Sequence, residues 1–184
     1  MPLQITVPPL EIGYNPTTRE FIYSHPEAVT LTLEHSLVSL SKWEAKWKTP
    51  FIHKKEMTRE ETIDYIRCMT LTQNVDPNVY KGIDDAIIHK VNEYIKDPMT
   101  ATWFAKDENK KHSSVVITAE RIYCWMIALQ IPPEYREWHL NQLITLIRVC
   151  ELENRPKKKM PRAENLAQIR ALNAKRRNAL RSKG

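Results

Sequence analysis

The chain has 184 residues, 42% hydrophobic and 27% charged, with five tryptophans. That composition belongs to a globular protein with a sizeable core and excludes global disorder. The net charge of +6 is unevenly spread. Residues 155–184 hold eleven lysines and arginines against Glu164 alone, a net of +10, so the remainder carries −4: a mildly acidic body followed by a strongly basic tail.

Taken in chain order, residues 1–34 read as strand and turn. Leu3-Gln4-Ile5-Thr6-Val7 and Val29-Thr30-Leu31-Thr32-Leu33 alternate apolar with polar, Asn15-Pro16-Thr17-Thr18 supplies turn chemistry, and Phe21-Ile22-Tyr23 favours strand. A small antiparallel hairpin or sheet is expected. From Ser36 the period becomes helical through Leu37, Leu40, Trp43 and Trp47, with the helix ending before Pro50 and Ser41/Glu44 spaced as a capping box inside it. Thr58-Arg59-Glu60-Glu61 is a cleaner capping box, opening a helix with Ile63, Ile66 and Met69 on one stripe.

Asp76-Pro77 and Lys81-Gly82 mark a turn region, and Ile83 to Ile95 a helix that stops before Pro98. Met99–Phe104 fits strand or loop, and 107–114 reads as an exposed loop. Thr118 caps a helix whose Ile122, Trp125, Met126 and Leu129 share a face and which ends at Pro132-Pro133. A further helix is expected from those prolines through Trp138 to Leu152, packed antiparallel on its predecessor at the centre of the core. Asn154–Pro161, two prolines bracketing lysines, forms a hinge before a thinly apolar basic helix over 162–180. The expected fold is mainly α (α+β): a β segment over 1–34, a helical body over 35–154, and a basic hinge and helical tail over 155–184.

Convergent polar chemistry is not apparent. With glycine only at 13, 82 and 184, neither a P-loop nor a dinucleotide fingerprint can be written. The six histidines lack metal-site spacing, so no metal and no cofactor is expected. His35, at the strand-to-helix junction, reads as a histidine holding a backbone carbonyl. Cys68, Cys124 and Cys150 read as buried free thiols. No apolar run is long enough to span a bilayer and residues 1–9 do not form a signal peptide, so no membrane association and a cytosolic location are expected.

Binding is the remaining reading. Trp43 and Trp47, four apart and flanked by lysines, form either an aromatic platform with a basic rim or a pair of core indoles with lysines folded around them. Trp138 and His139 can line a groove. In the tail, Lys157, Lys158, Lys159, Arg170, Arg176 and Arg177 suit nucleic acid or an acidic protein surface. The lack of aromatic residues over 155–184 favours protein.

The runs Leu33-Glu34-His35-Ser36-Leu37-Val38-Ser39-Leu40-Ser41-Lys42-Trp43-Glu44, Met99-Thr100-Ala101-Thr102 and Trp138–Cys150, with Lys158-Lys159-Met160 and Ala171-Leu172-Asn173-Ala174, resemble the tail assembly chaperones of long-tailed bacteriophages. The resemblance spans nearly the whole chain. It implies a non-enzymatic protein of the infected bacterial cytoplasm that coats the tape-measure protein, helps tail-tube subunits polymerise around it, self-associates, and is absent from the finished virion. A structural tail or connector subunit, or a nucleic-acid-binding protein acting through the tail, are the alternatives.

Overall fold

The computed structural model describes residues 2–104, 115–155 and 162–180. The fold is α+β and mainly helical, and the chain divides into two compact units, Met1–Glu151 and Leu152–Gly184.

The first unit begins with β1 (Leu3–Val7), β2 (Leu10–Asn15), β3 (Glu20–His25) and β4 (Val29–Leu33). β1 and β4 pair antiparallel, Leu3 opposite Leu33 and Val7 opposite Val29, so Ile5, Val7, Leu31 and Leu33 all point into the core. The hairpin β2–β3 is a separate two-stranded ladder inserted between them. Its turn uses the Asn15 side chain, whose Oδ1 accepts the N–H groups of Thr17 (3.0 Å) and Thr18 (3.4 Å). The outer edge of β4 does not stay open: Leu71 N–H donates to Thr32 O at 2.8 Å and Glu34 N–H to Met69 O at 2.9 Å. That backbone cover removes a template for strand addition.

Helix α1 (Leu37–Trp47) is capped by Ser36, whose hydroxyl accepts Ser39 N–H while Ser39 Oγ accepts Ser36 N–H at 2.9 Å. The box expected at Ser41/Glu44 is thus one turn earlier, and Glu44 is used elsewhere. The Glu44 carboxylate is buried and accepts Phe51 N–H and Ala119 N–H, both at 2.8 Å, joining α1 to the following loop and to the start of α4 (Ala119–Ala128). Thr58 and Glu61 form the expected reciprocal box of α2 (Arg59–Met69). After it come a 3-10 turn, Pro77–Gly82, and α3 (Asp85–Lys96).

Helix α5 spans Leu140–Glu153, not the expected run from the prolines. Pro133–Glu137 is a 3-10 turn, and Trp138-His139 is extended because His139 bridges Ser36 and Leu140 N–H donates to His35 O at 2.7 Å. The long helix would leave those backbone groups unpaired. Nor do α4 and α5 alone make the centre of the core. The described residues form two apolar clusters, one of β1, β4, α2 and α3 residues around Trp43, Tyr65 and Met69, the other joining Ile122, Met126, Leu143 and Ile147 to Leu37 and Leu40. α1 supplies side chains to both.

The second unit contains α6 (Arg162–Leu180), where the basic helical tail was expected. Among the described residues no helix is long and apolar enough to cross a membrane.

Two stability predictions follow from close contacts. Glu44→Ala strands two N–H groups, each worth about 1–3 kcal/mol, and is expected to lower unfolding free energy by about 2–4 kcal/mol in urea, with Glu44→Gln costing about half as much. At Gly82 an added Cβ would lie 2.8 Å from His25 Nε2 and 2.9 Å from Val7 Cγ1, where the hairpin base meets the 3-10 turn. Gly82→Ala should therefore cost about 1–3 kcal/mol, read as a fall in Tm, whereas Gly13→Ala, with nothing within 4 Å of its added Cβ, should be near neutral.

Candidate functional site

The aromatic platform expected on α1 is not a surface. Trp43 is fully buried, its indole N–H donating to Glu61 O at 3.1 Å and its ring stacked 6.1 Å from Trp47. Helical spacing put both rings on one face, but that face packs on α2. Trp47 is half-buried and donates to Asp64 Oδ2 at 2.8 Å, while Lys46 pairs with the other carboxylate oxygen. Trp43 is thus a core indole, and Lys46 lies over the Trp47 ring, 5.7 Å from its centroid.

His139, expected on a groove, is buried instead. Asn141 N–H donates to its Nδ1 at 3.3 Å, which leaves the ring proton on Nε2 to donate to Tyr94 O at 3.1 Å. His35 lies edge-on to it, ring centroids 5.1 Å apart, and shares a 2.5 Å hydrogen bond between Nδ1 and the Tyr65 hydroxyl. The His35 side chain thus meets a phenol, not the expected backbone carbonyl. Beside the pair, the Tyr94 hydroxyl donates to Glu34 Oε1 at 2.7 Å. Burial, with the neighbouring His139 second, pushes His35 down to about 3. Burial also lowers His139, and it raises both tyrosine hydroxyls. This cluster closes the gap between the two apolar clusters and has its partners inside the protein.

Of the predicted binding residues in the body, Trp138 alone reaches solvent appreciably, stacked at 4.1 Å on Tyr135. In the tail, Arg170, Arg176 and Arg177 are exposed on α6 together with Leu166, Ile169 and Leu172. Lys157, Lys158 and Lys159 lie outside the described residues, as does the loop expected over 107–114. The three thiols are free but not buried as expected: Cys68 and Cys150 are partly buried, and Cys124 is exposed because Ile122 and Met126 define the inner face of α4 and Cys124 falls on the other side.

Among the described residues, one group of exposed apolar side chains is one that residue patterning did not single out. On the β2–β3 hairpin, Ile12, Tyr14, Phe21, Ile22 and Tyr23 are between 43% and 62% exposed. Phe21 and Tyr23 alternate onto one face with Tyr14, whose ring sits 5.2 Å from that of Phe21. A two-stranded ribbon has no second layer to bury both faces, and this one rests its base on the body, at His25 and the Pro77–Gly82 turn. Trp103, 82% exposed, is a further aromatic outside the core. For the hairpin a partial signal was available, since three strands' worth of apolar residues are more than a two-stranded core sheet can cover, but Trp103 lies in no strand and carried none.

The buried histidines generate a pH prediction. Both are held below their ordinary value of 6.5 in the fold, so the unfolded chain takes up protons the native chain refuses. Stability is full above that value and falls as pH drops through it toward the native value of about 3 for His35, by about 1.4 kcal/mol per pH unit for each such proton. His35→Gln should reduce the slope between about pH 6.5 and 5, above the range of ordinary carboxylates, by one proton. Urea midpoints across that range measure it, and an unchanged slope refutes the assignment.

Compared with protein-family models, curated proteins and solved structures, the chain matches none of them.

Proposed function

We propose that this protein is a non-enzymatic assembly chaperone of the kind that serves the tails of long-tailed bacteriophages, holding the tape-measure protein in the host cytoplasm while tail-tube subunits gather on it. The observation that carries the reading is the β2–β3 hairpin, a ribbon presenting five large apolar side chains to solvent. Exposed apolar surface of this kind is the ordinary mark of a protein-binding surface. An exposed strand edge also offers main-chain pairing to an extended client segment.

The tail adds a second feature. α6 exposes Leu166, Ile169 and Leu172 beside Arg170, Arg176 and Arg177, so a partner with acidic residues flanking an apolar strip would satisfy both. The buried polar groups support the same reading, since Glu34, His35, Glu44 and His139 are engaged in bonds that close the fold.

Co-expression with the tape-measure protein tests the proposal. Recovery of a soluble complex is expected, and Phe21→Ser/Tyr23→Ser should abolish it while leaving Tm within about 2 °C, because exposed residues contribute within about 0.5 kcal/mol. No complex, and no gain in tape-measure solubility, refutes it. The exposed arginines of α6 favour nucleic acid as the second reading. A tail-dependent affinity for DNA or RNA that falls steeply with salt, without tape-measure binding, would establish that reading instead.

A further inference from the structure

On the first unit, away from the hairpin, α2, α3 and α5 leave an open cleft of about 540 Å³, closed on one side by the loop after α1. Its floor is aliphatic and aromatic: Ile66 and Val91 are buried beneath it, and Ile95 and Ile144 are half-buried along it. Its rim is basic. Lys54, Lys55 and Lys96 line it, and no aspartate or glutamate does. Lys54 is held by Glu61 at 2.6 Å, whereas among the described residues neither Lys55 nor Lys96 takes part in an ion pair.

We propose that this cleft receives an acidic amphipathic helix of a partner protein, apolar face down between α2, α3 and α5 and carboxylates toward Lys55 and Lys96. Three helices around an apolar trough leave the place that one more helix takes in a bundle, where its ridge of side chains fills the groove between its neighbours. The charge selects the kind of helix. A basic segment, including residues 162–180 of a second copy, meets like charge at the rim. The inference stands on the cleft and does not depend on the identity of the client bound by the hairpin.

The test uses the full-length chain, isotopically labelled, titrated with an end-capped synthetic peptide of about 18 residues carrying leucines on one helical face and glutamates on the other. Its counterpart carries lysine in place of every glutamate. The acidic peptide is expected to shift amide signals of Ile95, Lys96, Asn141 and Ile144, with affinity at least about tenfold weaker for Lys55→Glu/Lys96→Glu and for the lysine peptide. Both substituted residues are exposed, so the variant should keep the Tm of the parent. Binding of both peptides alike, binding unaffected by the charge reversal, or no shift at the cleft overturns the proposal. So does a cleft that responds to decanoate and not to the peptide, which would make it a site for small amphiphiles, or one whose signals change on dilution alone, which would make it a contact between copies.

Discussion

A buried carboxylate is tolerated only when hydrogen bonds replace the water it has lost, and Glu44 is the point where this constraint organises the molecule. Each of its two oxygens accepts one backbone N–H, from Phe51 and from Ala119, two residues the chain separates by most of its helical body. The Ala119 N–H belongs to the first turn of α4, where such donors lack a partner within the helix, and Thr118 offers no side-chain cap. Glu44 therefore caps one helix from the middle of another. In doing so it fixes α4 against α1, the helix that feeds both apolar clusters.

The same rule explains the seam between those clusters. Residues 34–36 connect β4 to α1, and none of their polar groups can reach bulk water freely, so each finds an internal partner: Glu34 with Tyr94, His35 with Tyr65, and the backbone of His35 with Leu140. Aromatic packing continues through the seam, with Phe51 4.1 Å from Tyr65 and His35 edge-on to both Tyr65 and His139. An apolar residue in place of any one member would leave its partner unpaired in a low-dielectric interior, a cost larger than the bond itself is worth. That asymmetry makes the polar seam specify one arrangement of the two clusters.

The sequence was legible where local chemistry decides structure. Alternation found β1 and β4, the Thr58/Glu61 box found the start of α2, and Asn15 found the hairpin turn. It was misleading where distant segments decide. Nothing near residue 138 announces that Ser36 will pair with His139 and hold the chain extended, and the spacing of Trp43 and Trp47 shows that they share a face without showing what covers it. The Ser41/Glu44 spacing mimics a cap, yet Glu44 spends both oxygens on groups seven and seventy-five residues away. The candidate binding surface was the least legible part, because exposure depends on which apolar residues the core leaves over, and that is known in full only after the core is assembled.

What the core leaves over is also sorted by charge. The basic excess of the chain lies in residues 155–184, and the remainder is net acidic, but that remainder is not uniform: its cleft between α2, α3 and α5 is lined by lysines without a carboxylate, whereas the hairpin is nearly neutral and apolar. Net charge per unit therefore describes neither surface. Three chemically distinct faces, an apolar ribbon, a lysine-rimmed trough and a basic helix, can engage three different features of a client or three different clients, since charged side chains attract ligands over about a Debye length of 8–10 Å while apolar contact acts only where surfaces meet. Under the proposed chaperone reading, a protein that holds a long partner and later releases it benefits from such separation. Contacts of this kind are individually weak, their joint strength comes from being made together, and loss of any one lets the rest dissociate in turn.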